Sequence, residues 1–175
     1  MTQRIPFGRT AVVLLSAVLG AVSLIPLSSV AVAAGLADKL VGTWRLVRYT
    51  DTDPSGKVTY PFGENPKGYF VYDPTGHLSV QIMRMPPRPV FASGEDDKGT
   101  DAEVRAAYDS YVAYFGTYRV DEANSVVTHA VEGSLNPGYT GTDQPRPFTL
   151  HGNVLIIQVR DKDGSSYFRE LHRVK

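Results

Sequence analysis

The amino-acid sequence predicts an all-β domain of about eight short antiparallel strands with one short helix. Short runs of β-branched and aromatic residues alternate with turn clusters along most of the chain. The 175 residues include 12 prolines, 16 glycines and 10 tyrosines, a composition typical of turns and strands rather than of a helical bundle. The chain has no cysteine, which argues against an immunoglobulin-type sandwich with its Cys–Trp–Cys spacing.

The N-terminal segment, residues 1–34, predicts a secretory signal peptide. It has a basic start without acidic residues, an apolar run over residues 11–26, and then small residues with an A-x-A site at Ala31 and Ala33. The apolar run is shorter than the roughly 20 residues of a membrane-spanning helix, so an uncleaved anchor is the less favoured alternative. We therefore expect cleavage after Ala33 or the next alanine, export to the periplasm or the medium, and one mature domain over residues 35–175.

The mature domain begins with a candidate strand over residues 40–50. Alternation places Trp44 and Leu46 on one of its faces and Val47 and Tyr49 on the other. The turn cluster that follows is rich in aspartate, proline and glycine, which predicts that the chain reverses there.

A hairpin is predicted next, from residues 68–72 through the β-turn Asp73-Pro74-Thr75-Gly76 to residues 77–84. The return strand has one apolar face and one mainly polar face, and the second consists of His77, Ser79, Gln81 and Met83. In most sheets the polar face is the solvated one. In a ligand-binding barrel the same face could line the lumen, and the sequence is consistent with both.

The middle of the chain predicts a long surface loop and then the helix. Residues 85–100 combine three prolines, two glycines and a charged run, which excludes a regular strand or helix. In residues 100–114, Thr100 and Glu103 have the spacing of a capping box, and apolar residues recur at intervals of three and four. We expect Gly116 to end this helix. Strands separated by tight turns are predicted for the remainder, residues 117–174.

Several motifs resemble those of a known family. Residues 40–44 resemble the G-x-W opening of lipocalins, in which the tryptophan closes one end of an eight-stranded barrel. Longer runs are similar to the lipocalin-like domain family of small bacterial and fungal proteins, namely residues 60–69 and 72–81, Tyr114-Phe115-Gly116-Thr117-Tyr118 and His129-x-x-Glu132-Gly133-Ser134. This resemblance covers essentially the whole mature chain and implies an antiparallel lipocalin-like β-barrel.

The resemblance also implies a structural role for one arginine. Lipocalins lay a C-terminal arginine across the closing tryptophan, so Arg173 is expected to form a cation–π pair with Trp44. His172 departs from relatives that often have a tryptophan at that position. The family has no single general activity, although some members act in natural-product pathways, so the resemblance implies a fold and leaves the function open.

Candidate functional side chains are few. The four histidines have no metal-ligand spacing, and we expect neither a metal nor a cofactor. His129 and Glu132 lie three apart on a strand and so point to opposite faces, which favours a hydrogen-bonded histidine and a carboxylate paired with an arginine over a catalytic pair. His77 and Gln81 share a face about 13 Å apart and could contact one ligand if that face lines a lumen.

Other residues complete the set that could contact a ligand in a barrel lumen. The full predicted set is Tyr69, His77, Gln81, Met83, Tyr118, His129, Glu132 and Arg146. For most of the aromatic residues an ordinary core position is the alternative. No catalytic residue is assigned, since the sequence has no G-x-S-x-G elbow and no glycine-rich phosphate loop.

These observations favour non-catalytic binding of a small hydrophobic molecule inside the barrel of an exported protein. A cyclase or isomerase for a polyketide-like or terpenoid substrate is the alternative, with His77, His129 or Glu132 as acid or base; a filled barrel without a ligand is a third. Residues 85–100 and the following helix are expected to cover the barrel mouth.

With 18 basic and 18 acidic residues, the chain lacks the basic excess of nucleic-acid-binding proteins. No stable membrane insertion is expected once the signal is removed.

Overall fold

The computed structural model describes residues 35–175, so the predicted signal peptide lies outside the described residues. The described part contains two short helices and nine strands. In chain order they are α1 (Leu36–Leu40), β1 (Gly42–Thr52), β2 (Val58–Thr59), β3 (Lys67–Tyr72), β4 (His77–Met83), α2 (Asp101–Tyr108), β5 (Tyr111–Asp121), β6 (Val126–Ser134), β7 (Asp143–His151), β8 (Val154–Arg160) and β9 (Ser166–Arg173).

Eight of the strands form a closed antiparallel barrel. Strands β3 to β9 pair in chain order, β3 pairs with the first half of β1, and β9 pairs back with β1 to close the sheet. The two-residue strand β2 is an addition that pairs with the last two residues of β1. Closure leaves the eight barrel strands without a free edge. The predicted all-β barrel is therefore confirmed.

A bulge in β1 turns one aromatic side chain into the barrel. Trp44 and Leu46 face the core, and the pairing of β1 with β9 then shifts between Leu46 and Arg48. One extra residue exchanges the faces of all the residues that follow. Tyr49 therefore lines the interior on the same side as Trp44, and the prediction that these two side chains face opposite sides is wrong.

The predicted helix is present but shorter than expected. The Thr100 hydroxyl accepts a hydrogen bond from the Glu103 N–H, and the Glu103 carboxylate accepts one from the Thr100 N–H at 2.8 Å, which confirms the capping box. The helix ends at Tyr108, and β5 begins at Tyr111. The prediction of a helix to residue 114 is wrong because β4 and β6 pair with both edges of this segment, and that pairing overrides the helical spacing.

One end of the barrel is closed by Trp44, which is fully buried. Its indole N–H donates to the Leu40 carbonyl oxygen at 2.8 Å, and the Arg173 guanidinium carbon lies 4.1 Å from its ring centroid. The same guanidinium donates to the Val41 carbonyl oxygen at 2.6 Å. The predicted cation–π pair is confirmed, and α1, which the sequence analysis did not predict, covers this end.

Residues 85–100 contain no regular strand or helix, as predicted. Within the described residues, the helices are too short and insufficiently apolar to cross a membrane.

Candidate functional site

The barrel encloses a cavity of about 490 Å³. From β9, Tyr167 and Arg169 line this cavity, near the start of the strand, whereas Arg173 at its other end contacts Trp44. The cavity therefore lies away from the closed end. Its wall is mostly aromatic and aliphatic: Tyr49, Phe62, Phe70, Tyr108, Tyr111, Tyr114, Tyr139 and Tyr167, with Val80, Ile82, Val112, Ala113, Leu135, Ile157 and Val159. Its size and lining are those of a small-molecule site.

The polar face of β4 lies outside the barrel. Val80 and Ile82 are buried and line the cavity, and because neighbours on a strand alternate, His77, Gln81 and Met83 turn outward. His77 and Gln81 are exposed, and Met83 is half-buried. The sequence was consistent with either face of β4 lining the barrel, and in the structure the apolar face does so. None of these three predicted residues lines the cavity.

Three further predicted residues also lie away from the cavity wall. Tyr69 and Glu132 are exposed on the outer surface. Tyr118 packs edge-on against Tyr72, with ring centroids 5.1 Å apart, and its hydroxyl donates to the Asp73 carbonyl oxygen at 2.8 Å. Tyr118 therefore contacts Tyr72 and the Asp73 backbone and does not line the cavity.

His129 lies directly behind the cavity wall. It is fully buried, its Nε2 is 2.9 Å from the Tyr72 hydroxyl, and its Nδ1 is 2.9 Å from the Tyr114 hydroxyl. Tyr114 lines the cavity, whereas His129 and Tyr72 do not. As expected from their spacing, His129 and Glu132 face opposite sides of β6 and make no pair.

Burial controls the charge of this cluster. Burial lowers the pKa of His129 to about 3, and the nearby positive charge of Arg146 acts in the same direction. Burial also raises the pKa of Tyr72 and of Tyr114 above the ordinary tyrosine value. All three side chains are therefore uncharged at neutral pH.

Arg146 is the predicted residue that lines the cavity directly. Its guanidinium donates to the Gln144 side-chain oxygen and to the Pro145 carbonyl oxygen, both at 3.2 Å. Within residues 35–175 it forms no ion pair with a carboxylate. A guanidinium has five N–H donors, so several remain for a ligand.

The second cavity arginine, Arg169, is differently placed. It pairs with Asp51 at 2.8 Å, donates to the Thr50 carbonyl oxygen at 2.7 Å, and its guanidinium carbon lies 3.2 Å from the Tyr49 ring centroid. Arg169 and Tyr49 were not predicted from the sequence, since their position depends on the β1 bulge and the pairing of β1 with β9. Tyr114 carried a signal, because it stands in one of the family-like motifs.

The cavity mouth is bordered by the end of the helix rather than by the long loop. Tyr108 and Asp109 at the end of α2 and Tyr111 at the start of β5 line the cavity. No residue between 86 and 100 does so. Of the two segments expected to cover the mouth, the structure places only the helix beside it.

Among the described residues, no group of three or more histidine, aspartate or glutamate side chains is arranged to hold a metal ion.

Parts of the chain are similar to known proteins. It is 36% identical over 86 residues to the 4'-hydroxy-3'-methoxypropiophenone carrier protein ppsC of Aspergillus oryzae (strain ATCC 42149 / RIB 40), a match that covers 46% of this chain and 77% of that protein. A redesigned β-barrel matches 81% of this chain and all of its own at 15% identity and a TM-score of 0.41. A de novo designed fluorescence-activating β-barrel matches with the same coverage at 13% identity and a TM-score of 0.39.

A family model describes most of the barrel. The match extends over residues 41–169, from the residue before β1 to the middle of β9, and so includes the closing tryptophan and every strand that lines the cavity. This chain belongs to the lipocalin-like domain family.

Proposed function

We propose that this protein is a non-catalytic carrier that binds one small, mostly apolar molecule in the barrel cavity. The observation that carries this proposal is a cavity of about 490 Å³ with a mainly aromatic and aliphatic wall. The similarity to a fungal protein that is named as a carrier of an aromatic ketone supports it. A small aromatic molecule is the ligand class that we favour.

The arrangement of titratable groups favours a carrier over an enzyme. Of the three residues considered as acid or base, His77 and Glu132 lie on the outer surface, and His129 is separated from the cavity by Tyr114. A histidine with a pKa of about 3 is also a weak base at neutral pH. None of these three side chains is therefore placed to act as acid or base on a molecule in the cavity, which disfavours the cyclase or isomerase alternative as it was framed.

We also propose that the carrier acts outside the cytoplasm, because residues 1–34 have the charge and hydropathy pattern of a cleaved signal peptide. Intact-mass measurement of the protein from its own host tests this. Loss of the first 33 or 34 residues supports export, and recovery of the full-length chain contradicts it.

The cavity itself is tested with the neutral dye N-phenyl-1-naphthylamine, whose fluorescence rises in apolar surroundings. Val159 lines the cavity, and its neighbour Gln158 faces the other side of β8. We expect the purified protein to bind the dye, Val159→Trp to weaken binding by occupying part of the cavity, and Gln158→Trp to bind as the unmodified protein does.

Circular dichroism confirms that both variants are folded. If the dye does not bind, or if both tryptophan variants bind it equally, the barrel cavity is not the binding site and the carrier proposal is wrong.

A further inference from the structure

Two tyrosine hydroxyls, with the His129 imidazole between them, form a line of hydrogen bonds from the core to the cavity wall. Tyr72 is 1% exposed, and among residues 35–175 its hydroxyl has His129 Nε2 as its hydrogen-bond partner. On the other side of the ring, His129 Nδ1 contacts the hydroxyl of Tyr114, which borders the cavity. The line therefore has one end buried in protein and one end open to a ligand.

The buried end determines the direction of the hydrogen bonds. A hydroxyl that is shielded from water must donate its proton to an acceptor, and Nε2 is the acceptor within reach of Tyr72. A neutral imidazole has one acceptor nitrogen and one N–H. If Nε2 accepts, Nδ1 holds the proton and donates it to the Tyr114 oxygen.

The Tyr114 hydroxyl then has no acceptor for its own proton on His129 or Tyr72, and this proton points toward the cavity. Its hydroxyl becomes a hydrogen-bond donor on the wall, with an oxygen already occupied by the imidazole N–H. The depressed pKa of His129 is consistent with this arrangement, because only a neutral ring can accept from Tyr72.

A second donor lies on the same wall. Arg146 lines the cavity without a carboxylate partner among the described residues, and its charge is close enough to Tyr114 to oppose the rise in the tyrosine pKa that burial causes. The Gln144 side chain, itself hydrogen-bonded to Thr142 at 2.8 Å, holds the guanidinium in place. Both groups have protons to donate, and together they make a site for an oxygen atom.

We propose that Tyr114 and Arg146 together bind a hydrogen-bond-accepting oxygen, a carbonyl or a carboxylate, on an otherwise apolar aromatic ligand. This inference rests on the carrier function proposed above. It adds that the ligand is oriented, with its oxygen against this wall and its apolar part among the aromatic side chains of the cavity. Tyr72 and His129 are positioning residues, since they act through Tyr114.

The binding test uses three naphthalenes of nearly equal size that compete with N-phenyl-1-naphthylamine. These are 2-acetylnaphthalene, 2-naphthoate and 2-isopropylnaphthalene, of which the last has no oxygen. We expect Tyr114→Phe to reduce the affinity for at least one of the two oxygen-containing ligands by roughly three- to tenfold. The affinity for the hydrocarbon should not change. A larger reduction in affinity for 2-acetylnaphthalene identifies a carbonyl as the preferred group, and a larger reduction for 2-naphthoate identifies a carboxylate.

Tyr118→Phe is the matched control, because it removes a tyrosine hydroxyl that bonds to a backbone carbonyl and does not line the cavity. We expect it to change the affinity for none of the three ligands. Equal affinities of the unmodified protein and Tyr114→Phe for both oxygen ligands would overturn the inference. The carrier function would survive that result, provided that the dye still binds in the cavity.

A readout without any ligand tests the hydrogen-bond direction. The nitrogen-15 chemical shifts of the His129 ring distinguish a proton on Nδ1 from a proton on Nε2. We expect the Nδ1–H form. The Nε2–H form would overturn the inference, since Tyr114 would then donate to the imidazole and offer no proton to the cavity.

Discussion

At the scale of single residues, His129 shows how a polar side chain is held in an apolar core. Both of its ring nitrogens contact tyrosine hydroxyls at 2.9 Å, so its burial leaves neither nitrogen without a partner. The cost appears only when the ring must take up a proton. A buried imidazolium would lose its hydration and lie near the charge of Arg146.

This cost makes the stability of the protein depend on pH. The folded-state pKa of His129, about 3, lies below the ordinary value of 6.5, so below pH 6.5 the unfolded chain binds a proton that the folded chain excludes. The contribution is complete above pH 6.5 and is lost as the pH falls toward 3. We expect a decrease of about 2 kcal/mol in the free energy of unfolding between pH 7 and pH 5, measured by urea denaturation.

His129→Gln is the control for this pH effect. Its side chain can still hydrogen-bond to one tyrosine hydroxyl but has no proton to gain. We expect this variant to be less stable at pH 7 and to lose far less stability between pH 7 and pH 5. If the free energy of unfolding decreases equally in the two proteins between pH 7 and pH 5, the pH dependence does not arise from His129.

At the scale of elements, β5 shows that pairing overrides local spacing. Its first residues have the three-and-four recurrence of an amphipathic helix and nevertheless form a strand between β4 and β6. Gly116, expected to end a helix, lies in the middle of this strand. A Cβ added to Gly116 would lie 2.0 Å from the Ala130 carbonyl oxygen on β6. The glycine therefore permits a close approach of two backbones.

Substitution of this glycine tests the close approach. We expect Gly116→Ala to reduce the free energy of unfolding by about 3 kcal/mol, because β5 and β6 must separate to admit the methyl group. Urea denaturation measures the loss.

Gly138→Ala is the matched control. There the added Cβ would lie 3.4 Å from the Asn136 side-chain oxygen, an ordinary contact, so a change within about 0.5 kcal/mol is expected. Comparable stabilities of the two variants would show that the separation of β5 from β6 is not tightly constrained.

At the scale of the whole molecule, the seam between β1 and β9 joins the two chain ends of the barrel and defines its interior. Leu171 on β9 is fully buried and is in register with Leu46 on β1 and Leu155 on β8. With no cysteine in the chain, this packing and the hydrogen bonds of the seam hold the barrel closed. The chain has a single tryptophan, Trp44, so its fluorescence reports on the closed end alone.

We expect Leu171→Ala to reduce stability by about 2–5 kcal/mol, through lost apolar burial and the cavity left at the seam. The midpoints of urea denaturation from Trp44 fluorescence and from far-ultraviolet circular dichroism should decrease together, because opening the seam exposes the whole core in one transition. Val174→Ala, at a side chain that is 45% exposed, is the control and should have little effect. Separate midpoints for the two probes in Leu171→Ala would show that the barrel end unfolds independently.

Much of this architecture is determined by the sequence itself. Period-two alternation, turn residues with special backbone preferences, and the Thr100–Glu103 capping box act over a few residues, so each can be recognised locally. The pairing of Trp44 with Arg173 was predicted from the family-like opening motif.

The site was decided by tertiary structure. Val47 shifts the register of β1 and turns Tyr49 inward, and strand pairing on both sides converts a helix-like segment into the strand that presents Tyr114. Of the eight side chains predicted to contact a ligand, Arg146 reaches the cavity wall. The physical reason is that the face of a strand that turns inward depends on register, and register is set by partners distant in the chain.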